Sequence, residues 1–220
     1  MRDPAAVWIG SLTLACVFFA LAGVAAVLNW IAVEREDKRL EYFAKPATTA
    51  LLLAAAVALS PYSPSERGWF VAALAFCLAG DVFLMLPRDA FVPGLASFLV
   101  GHLCFLAGLV ARGVHASSAL PTVVIALIVI PLVARPILRG ARNEDPKLVG
   151  PVVVYVATLG SLLAISAGTR SGWTVAGAAV FALSDTILAR NKFVAPIPHG
   201  HLATMVTYHA ALALLVASLV

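Results

Sequence analysis

The chain has 220 residues, 62% of them hydrophobic and 12% charged, with a formal net charge of +4. Soluble domains carry about 45–50% apolar and about 25% charged residues, and a chain of this size cannot hide such an excess of apolar surface in one core. A soluble domain is therefore excluded, and the absence of a basic stripe interleaved with aromatics argues against nucleic acid as a partner.

A membrane helix needs about 20 mostly apolar residues. The first such run covers about residues 7–33. Ala20-Leu21-Ala22 imitates a signal-cleavage triplet, but a signal core is only about 7–15 residues long. This run continues to Val33 and stops at "EREDKRLE", so it reads as a retained span. The following spans are predicted at about 44–60, 69–87, 92–111, 119–135, 149–167, 173–190 and 201–219. The second and fifth are short, with Pro46, Pro121 and Pro131 in or beside them. Tilt, or snorkelling by Lys45 and Arg135, accommodates that. The predicted fold class is all-α: a polytopic membrane bundle of eight transmembrane helices, forming one integral domain over residues 1–220. Cys16, Cys77 and Cys104 lie in apolar runs without a CxxC pair, which signals neither a disulfide framework nor zinc.

Loop charges give an orientation. Of the fifteen Lys and Arg residues, only Arg2, Arg67, Arg112 and Arg170 fall on the side of the N-terminus and the even-numbered loops. The excess on the other side predicts cytoplasmic odd-numbered loops and both termini outside. The expected location is a bacterial-type plasma membrane.

Two apolar runs carry an acid: "FCLAGDVFLMLP" at 76–87 and "VFALSDTILAR" at 180–190. Of eleven acidic residues, only Asp81 and Asp185 lie well within spans. A charged Asp at the centre of a membrane helix costs on the order of 2.5–3.5 kcal/mol on insertion scales, so such residues face a bundle interior or a wet cavity. Asp81 precedes Pro87 by six residues and Asp185 precedes Arg190 by five. At 1.5 Å per residue, each sits roughly 8–9 Å below the cytoplasmic end of its helix. Gly80-Asp81 matches Ser184-Asp185, and Leu84 matches Leu188, which suggests a 4+4 parallel internal repeat. No Lys or Arg lies mid-span to pair with these acids. Two carboxyls sharing one proton would form an acid–base dyad.

His102, Tyr155, Tyr208 and His209 reach the same layer, and Lys45 stands at the cytoplasmic end of the second span. The outer halves hold almost no ionisable group. Each of these residues also has a plain structural reading: an interhelical hydrogen-bond partner for a His, a packing aromatic for a Tyr, a snorkelling anchor for Lys45. His199 and His201 flank the last span at the interface and read as solvated. The two acids, without basic partners, are harder to explain as packing.

"KPATT" at 45–49, "GDVFLML" at 80–86, "FVPGLASFLVGH" at 91–102, "FALSD" at 181–185 and "TYHAAL" at 207–212 together resemble the YhhN family. The resemblance runs in order over nearly the whole chain. Characterised animal members of that family are lysoplasmalogenases. The resemblance implies hydrolysis of the vinyl-ether bond of a lysoplasmalogen, or a related ether lysolipid, to a fatty aldehyde and a glycerophospho-base. It also implies that Lys45, Asp81, His102, Asp185 and Tyr208 line the site. The chain departs from the family at Phe105, where Tyr is usual, and at Leu212, where Gln is usual; either change bears on substrate or rate.

Vinyl ethers hydrolyse by proton transfer to the alkene carbon. This gives an oxocarbenium ion, which water attacks. The reaction needs a protonated acid and a nearby anion, which two carboxyls can supply. The expected catalytic residues are Asp81 and Asp185; the expected substrate-binding residues are Lys45, His102, Tyr155, Tyr208 and His209. Lys45 suits a phosphate head group, the apolar outer half suits the chain, and no cofactor or metal is required. The expected partners are a lysophospholipid and the bilayer, with the site in the cytoplasmic half. Two other readings stay open. One is a zinc ion held by His102, His209 and the two Asp residues, although no HExxH pairing supports it. The other is a proton-coupled transporter or channel for a small or lipid-like solute, against which the apolar outer halves speak.

Overall fold

The computed structural model describes residues 4–60, 63–86 and 90–220, with side chains from residue 10 onward. Arg2, Pro87 and Arg88, used above for charge and depth, lie outside the described residues. The chain forms eight α-helices: α1 (Pro4–Glu34), α2 (Lys38–Ala58), α3 (Pro64–Met85), α4 (Phe91–Arg112), α5 (Ala116–Glu144), α6 (Val149–Gly168), α7 (Gly172–Phe193) and α8 (Gly200–Ala217). A short 3₁₀ turn, Pro146–Leu148, precedes α6. Seven of the eight are long and apolar enough to cross a membrane. The eighth, α2, carries Lys38, Arg39, Glu41 and Lys45 in its first turns. Consecutive helices pack as hairpins: α1 with α2, α3 with α4, α5 with α6, α7 with α8.

Local sequence sets the ends. The side chain of Asp37 accepts hydrogen bonds from the amides of Arg39 and Leu40, so α2 starts at Lys38 rather than at 44. Ser63 caps α3 ahead of Pro64, which is suited to a first turn because its missing N–H is not needed there. The fifth helix runs to Glu144, well beyond the expected end at 135, and passes through Pro136. This basic stretch is helical because it is docked. Gly140 lies directly against the backbone carbonyl of Phe193, and Lys192 pairs with Glu144 at 3.0 Å.

Close packing fixes α3 to α4. Gly94, Gly101 and Gly108 recur every seven residues on α4. A Cβ at Gly94 would strike Leu84, one at Gly108 would strike Phe70, and one at Gly101 would lie 3.1 Å from both the Ala73 carbonyl and Cys77 Sγ. Small residues at this spacing let two membrane helices approach closely. The seam holds Asp81 of α3 at the level of the first turns of α4. On α1 the buried positions are small, Ala15, Ala22, Ala25, Ala26 and Ala32, together with Asn29. At the end remote from the two aspartates, buried Glu66 accepts from Arg112 at 3.2 Å. Arg112 also donates to the Ser218 carbonyl at 2.6 Å, which ties the ends of α3, α4 and α8 together.

Gly101→Val forces a side chain onto the Ala73 carbonyl, which cannot rotate away. We expect a loss of about 1–3 kcal/mol, read as a lower unfolding temperature in detergent.

Candidate active site

The α3–α4 seam and the α7–α8 hairpin carry the polar residues inward. Asp81 is fully buried. Its Oδ2 accepts hydrogen bonds from Thr49 Oγ1 at 2.6 Å and from the Tyr208 hydroxyl at 3.0 Å. Its Oδ1 lies 3.6 Å from Lys45 Nζ. This corrects the expectation that no base reaches the acids. Because α2 begins at Lys38, Lys45 stands two turns inside the helix, its side chain only 4% exposed, and acts as the counter-ion of Asp81. It is not a surface anchor.

Asp185 belongs to a second group. Tyr155 donates from its hydroxyl to Asp185 Oδ2 at 2.7 Å, and His102 Nε2 stands 3.4 Å from the same oxygen. His102 is fully buried, with Nδ1 at 2.7 Å from the Phe98 carbonyl. A carbonyl only accepts, so Nδ1 carries the hydrogen. Nε2 therefore faces Asp185 with either a lone pair or a second proton, and the two residues can hold one proton between them.

The acids do not form a directly bonded dyad: among the described residues no hydrogen bond joins them. The two groups are instead linked by aromatic contacts, with the Phe181 ring centroid 4.3 Å from that of His102 and 5.7 Å from that of Tyr208. Both departures have the same physical cause. A carboxylate in a low-dielectric bundle needs charge-assisted donors close by, and each acid recruits its own.

His209 is placed differently from Tyr208. Its Nδ1 accepts from Trp30 Nε1 at 3.2 Å, and the two rings stack. Its Nε2 is buried without a partner, as are both side-chain polar atoms of Asn29. Among the described residues no three His, Cys, Asp or Glu side chains gather as metal ligands, so the grouping of His102 and His209 with both acids does not form. Phe105 packs edge-on against Phe70, and Leu212 is fully buried. Thr49 and the Phe98 carbonyl went unpredicted. Thr49 had a signal, one helical turn after Lys45 in "KPATT"; the carbonyl had none.

Two cavities adjoin these groups. One, of about 330 Å³, lies between α4, α5, α6 and α7 and is almost wholly apolar, with Asp185 and Tyr155 in its wall. The other, of about 530 Å³, has a mixed wall in which Lys38, Glu41, Lys45, Asn191, Lys192 and His201 stand among apolar side chains. Phe91 and Leu188 line both.

Residues 40–219 match the YhhN family. The chain is 33% identical to human lysoplasmalogenase TMEM86B over 93% of its own length and 82% of that protein. It is 30% identical to human lysoplasmalogenase TMEM86A over 89% of its length and 81% of that protein. It is 35% identical to a lysoplasmalogenase of Mycobacterium bovis over 67% of its length and 58% of that protein. No solved structure matches the chain.

Lys45→Met leaves the Asp81 carboxylate buried without its cation, at an expected cost of about 3 kcal/mol. Combining it with Asp81→Asn should recover most of that loss. Unfolding of the single and double variants in detergent measures the coupling.

Proposed function

The chain belongs to the YhhN family, and from that premise we propose that it is a membrane-embedded, lysoplasmalogenase-like hydrolase. It cleaves the vinyl-ether bond of a lysoplasmalogen to a fatty aldehyde and a glycerophospho-base. The relatives named lysoplasmalogenase, at 33% identity over most of the chain in the human case, support the activity. The observation that carries the chemistry is Asp185, hydrogen-bonded by Tyr155 and close to His102, in the wall of an apolar cavity that shares Phe91 and Leu188 with a second cavity lined by Lys45.

In this reading the alkenyl chain occupies the apolar cavity and the phosphate head group the second one, where Lys45 offers a point charge. The vinyl ether then lies near Phe91 and Leu188, beside Asp185. Asp185 and His102, holding one proton between them, deliver it to the alkene carbon, and the Tyr155 hydroxyl orients the carboxyl. An oxocarbenium ion forms at the carbon bonded to oxygen. Asp81, held by Lys45, Thr49 and Tyr208, stays anionic and stabilises that cation. Water adds to the same carbon, and a proton returns to the acid. The resulting hemiacetal collapses, releasing the glycerol oxygen as an alcohol and leaving the aldehyde. Within the bundle His209 supports Tyr208 from the α1 side.

The same reading puts both termini outside and the site in the cytoplasmic half of a bacterial-type plasma membrane, with the whole chain as one integral domain. The charge asymmetry of the loops supports it.

Asp81→Asn and Asp185→Asn each lower kcat by at least about 10²-fold, with KM little changed. Mass-spectrometric release of aldehyde from a lysoplasmalogen by the purified variants is the measurement. Wild-type rates in either folded variant would remove that residue from the mechanism.

A further inference from the structure

The apolar cavity has a direction. At one end Phe91 and Leu188 are shared with the second cavity. Asp185 and Tyr155 stand in its wall. Along α6 the wall then continues from Tyr155 through Leu159 and Gly160 to Leu163, facing Ile130 of α5. That stretch of helix rises about 12 Å. Beyond Tyr155 the residues of this stretch that line the cavity are Val156, Leu159, Gly160 and Leu163, none of them polar, so the space beyond the acid suits a hydrocarbon tail.

Gly160 decides how wide this end is. A Cβ placed on it would overlap Cδ1 of Ile130. Gly160 carries no left-handed φ, so the glycine is not demanded by backbone conformation. Its absent side chain is what lets Ile130 reach across from α5 without closing the cavity. The neighbour is also the flexible tip of a side chain rather than backbone. A larger residue at 160 therefore turns Ile130 or itself into the cavity and leaves the helix packing in place. On the other side, α5 is braced only lightly: Leu127, Ile128 and Leu132 are each 60% exposed or more.

Resting on the lysoplasmalogenase-like reading, we propose that Gly160 and Ile130 set the length of the alkenyl chain that this protein accepts. The pair narrows a tail-binding cavity that starts at Asp185 and continues past Gly160 to Leu163. Substrates that end short of the pair do not sense it, and longer chains must pass over Gly160.

The test uses purified full-length protein and a series of lysoplasmalogens with one head group and increasing alkenyl length. Gly160→Leu lowers kcat/KM for the longest substrates relative to the shortest by about tenfold or more, the scale at which a hydrophobic pocket discriminates methylenes. Ile130→Ala shifts the preference toward longer chains, and adding it to Gly160→Leu recovers them. An equal loss at every length, or an unchanged profile in both variants, overturns the proposal. If wild-type protein cleaves no member of the series, the hydrolase reading falls on its own. The same variants are then compared by native mass spectrometry for binding of lysophosphatidylethanolamines of graded chain length. A variant-dependent shift in the preferred length upholds the tail cavity, and no shift rejects it.

Discussion

A buried carboxylate must find positive charge or hydrogen-bond donors inside the protein, because no water or lipid headgroup will supply them in the apolar layer. Much of the arrangement of this bundle follows from meeting that demand twice. Asp81 draws Lys45, Thr49 and Tyr208 from α2 and α8; Asp185 draws Tyr155 and His102 from α6 and α4. Six helices besides the two that carry the acids could in principle have contributed nothing polar. Instead four of them converge on the same layer. The same rule operates at the other end, where Glu66 is met by Arg112.

Meeting the demand twice, and separately, changes the chemistry on offer. A directly bonded pair of aspartates has one proton and two nearly equivalent oxygens competing for it. Here the environments differ. Asp81 faces a lysine and two hydroxyl donors, a set that suits an anion. Asp185 faces a phenol and an imidazole that can itself give or take a proton. Two carboxyls with different companions are what an acid and a cation-stabilising base require. The Phe181 ring between His102 and Tyr208 keeps the two sets close without letting them merge.

The two cavities reach one part of each set, Asp185 and Tyr155 from the apolar side and Lys45 from the other. Lipid-like space lies on one side and a mixed wall with several cations on the other, with Phe91 and Leu188 at the junction. An amphiphile with a single chain fits that division better than a small polar solute does. Lys192 over the Phe91 ring, at 5.2 Å, marks the polar border of the junction.

The sequence by itself determined the membrane class, the number and order of the helices, and the two intramembrane acids. These follow from hydropathy and from the rarity of charge in apolar runs, both local properties of the chain. His102, Tyr155 and Tyr208 were legible as polar groups at one depth, because depth follows from helical rise, and Lys45 as a residue at the cytoplasmic end of its span. Only the tertiary structure decided which partner each acid takes. That choice depends on helix rotation and on where α2 starts, set by the Asp37 cap and by the glycine seam of α4, and a one-dimensional depth count has no angle in it. It also turned Lys45 from a surface anchor into a buried counter-ion, tied His209 to Trp30, and carried α5 helically through Pro136 to its docking point at Gly140, because contact between helices outweighs the local signal of a proline or a run of charges.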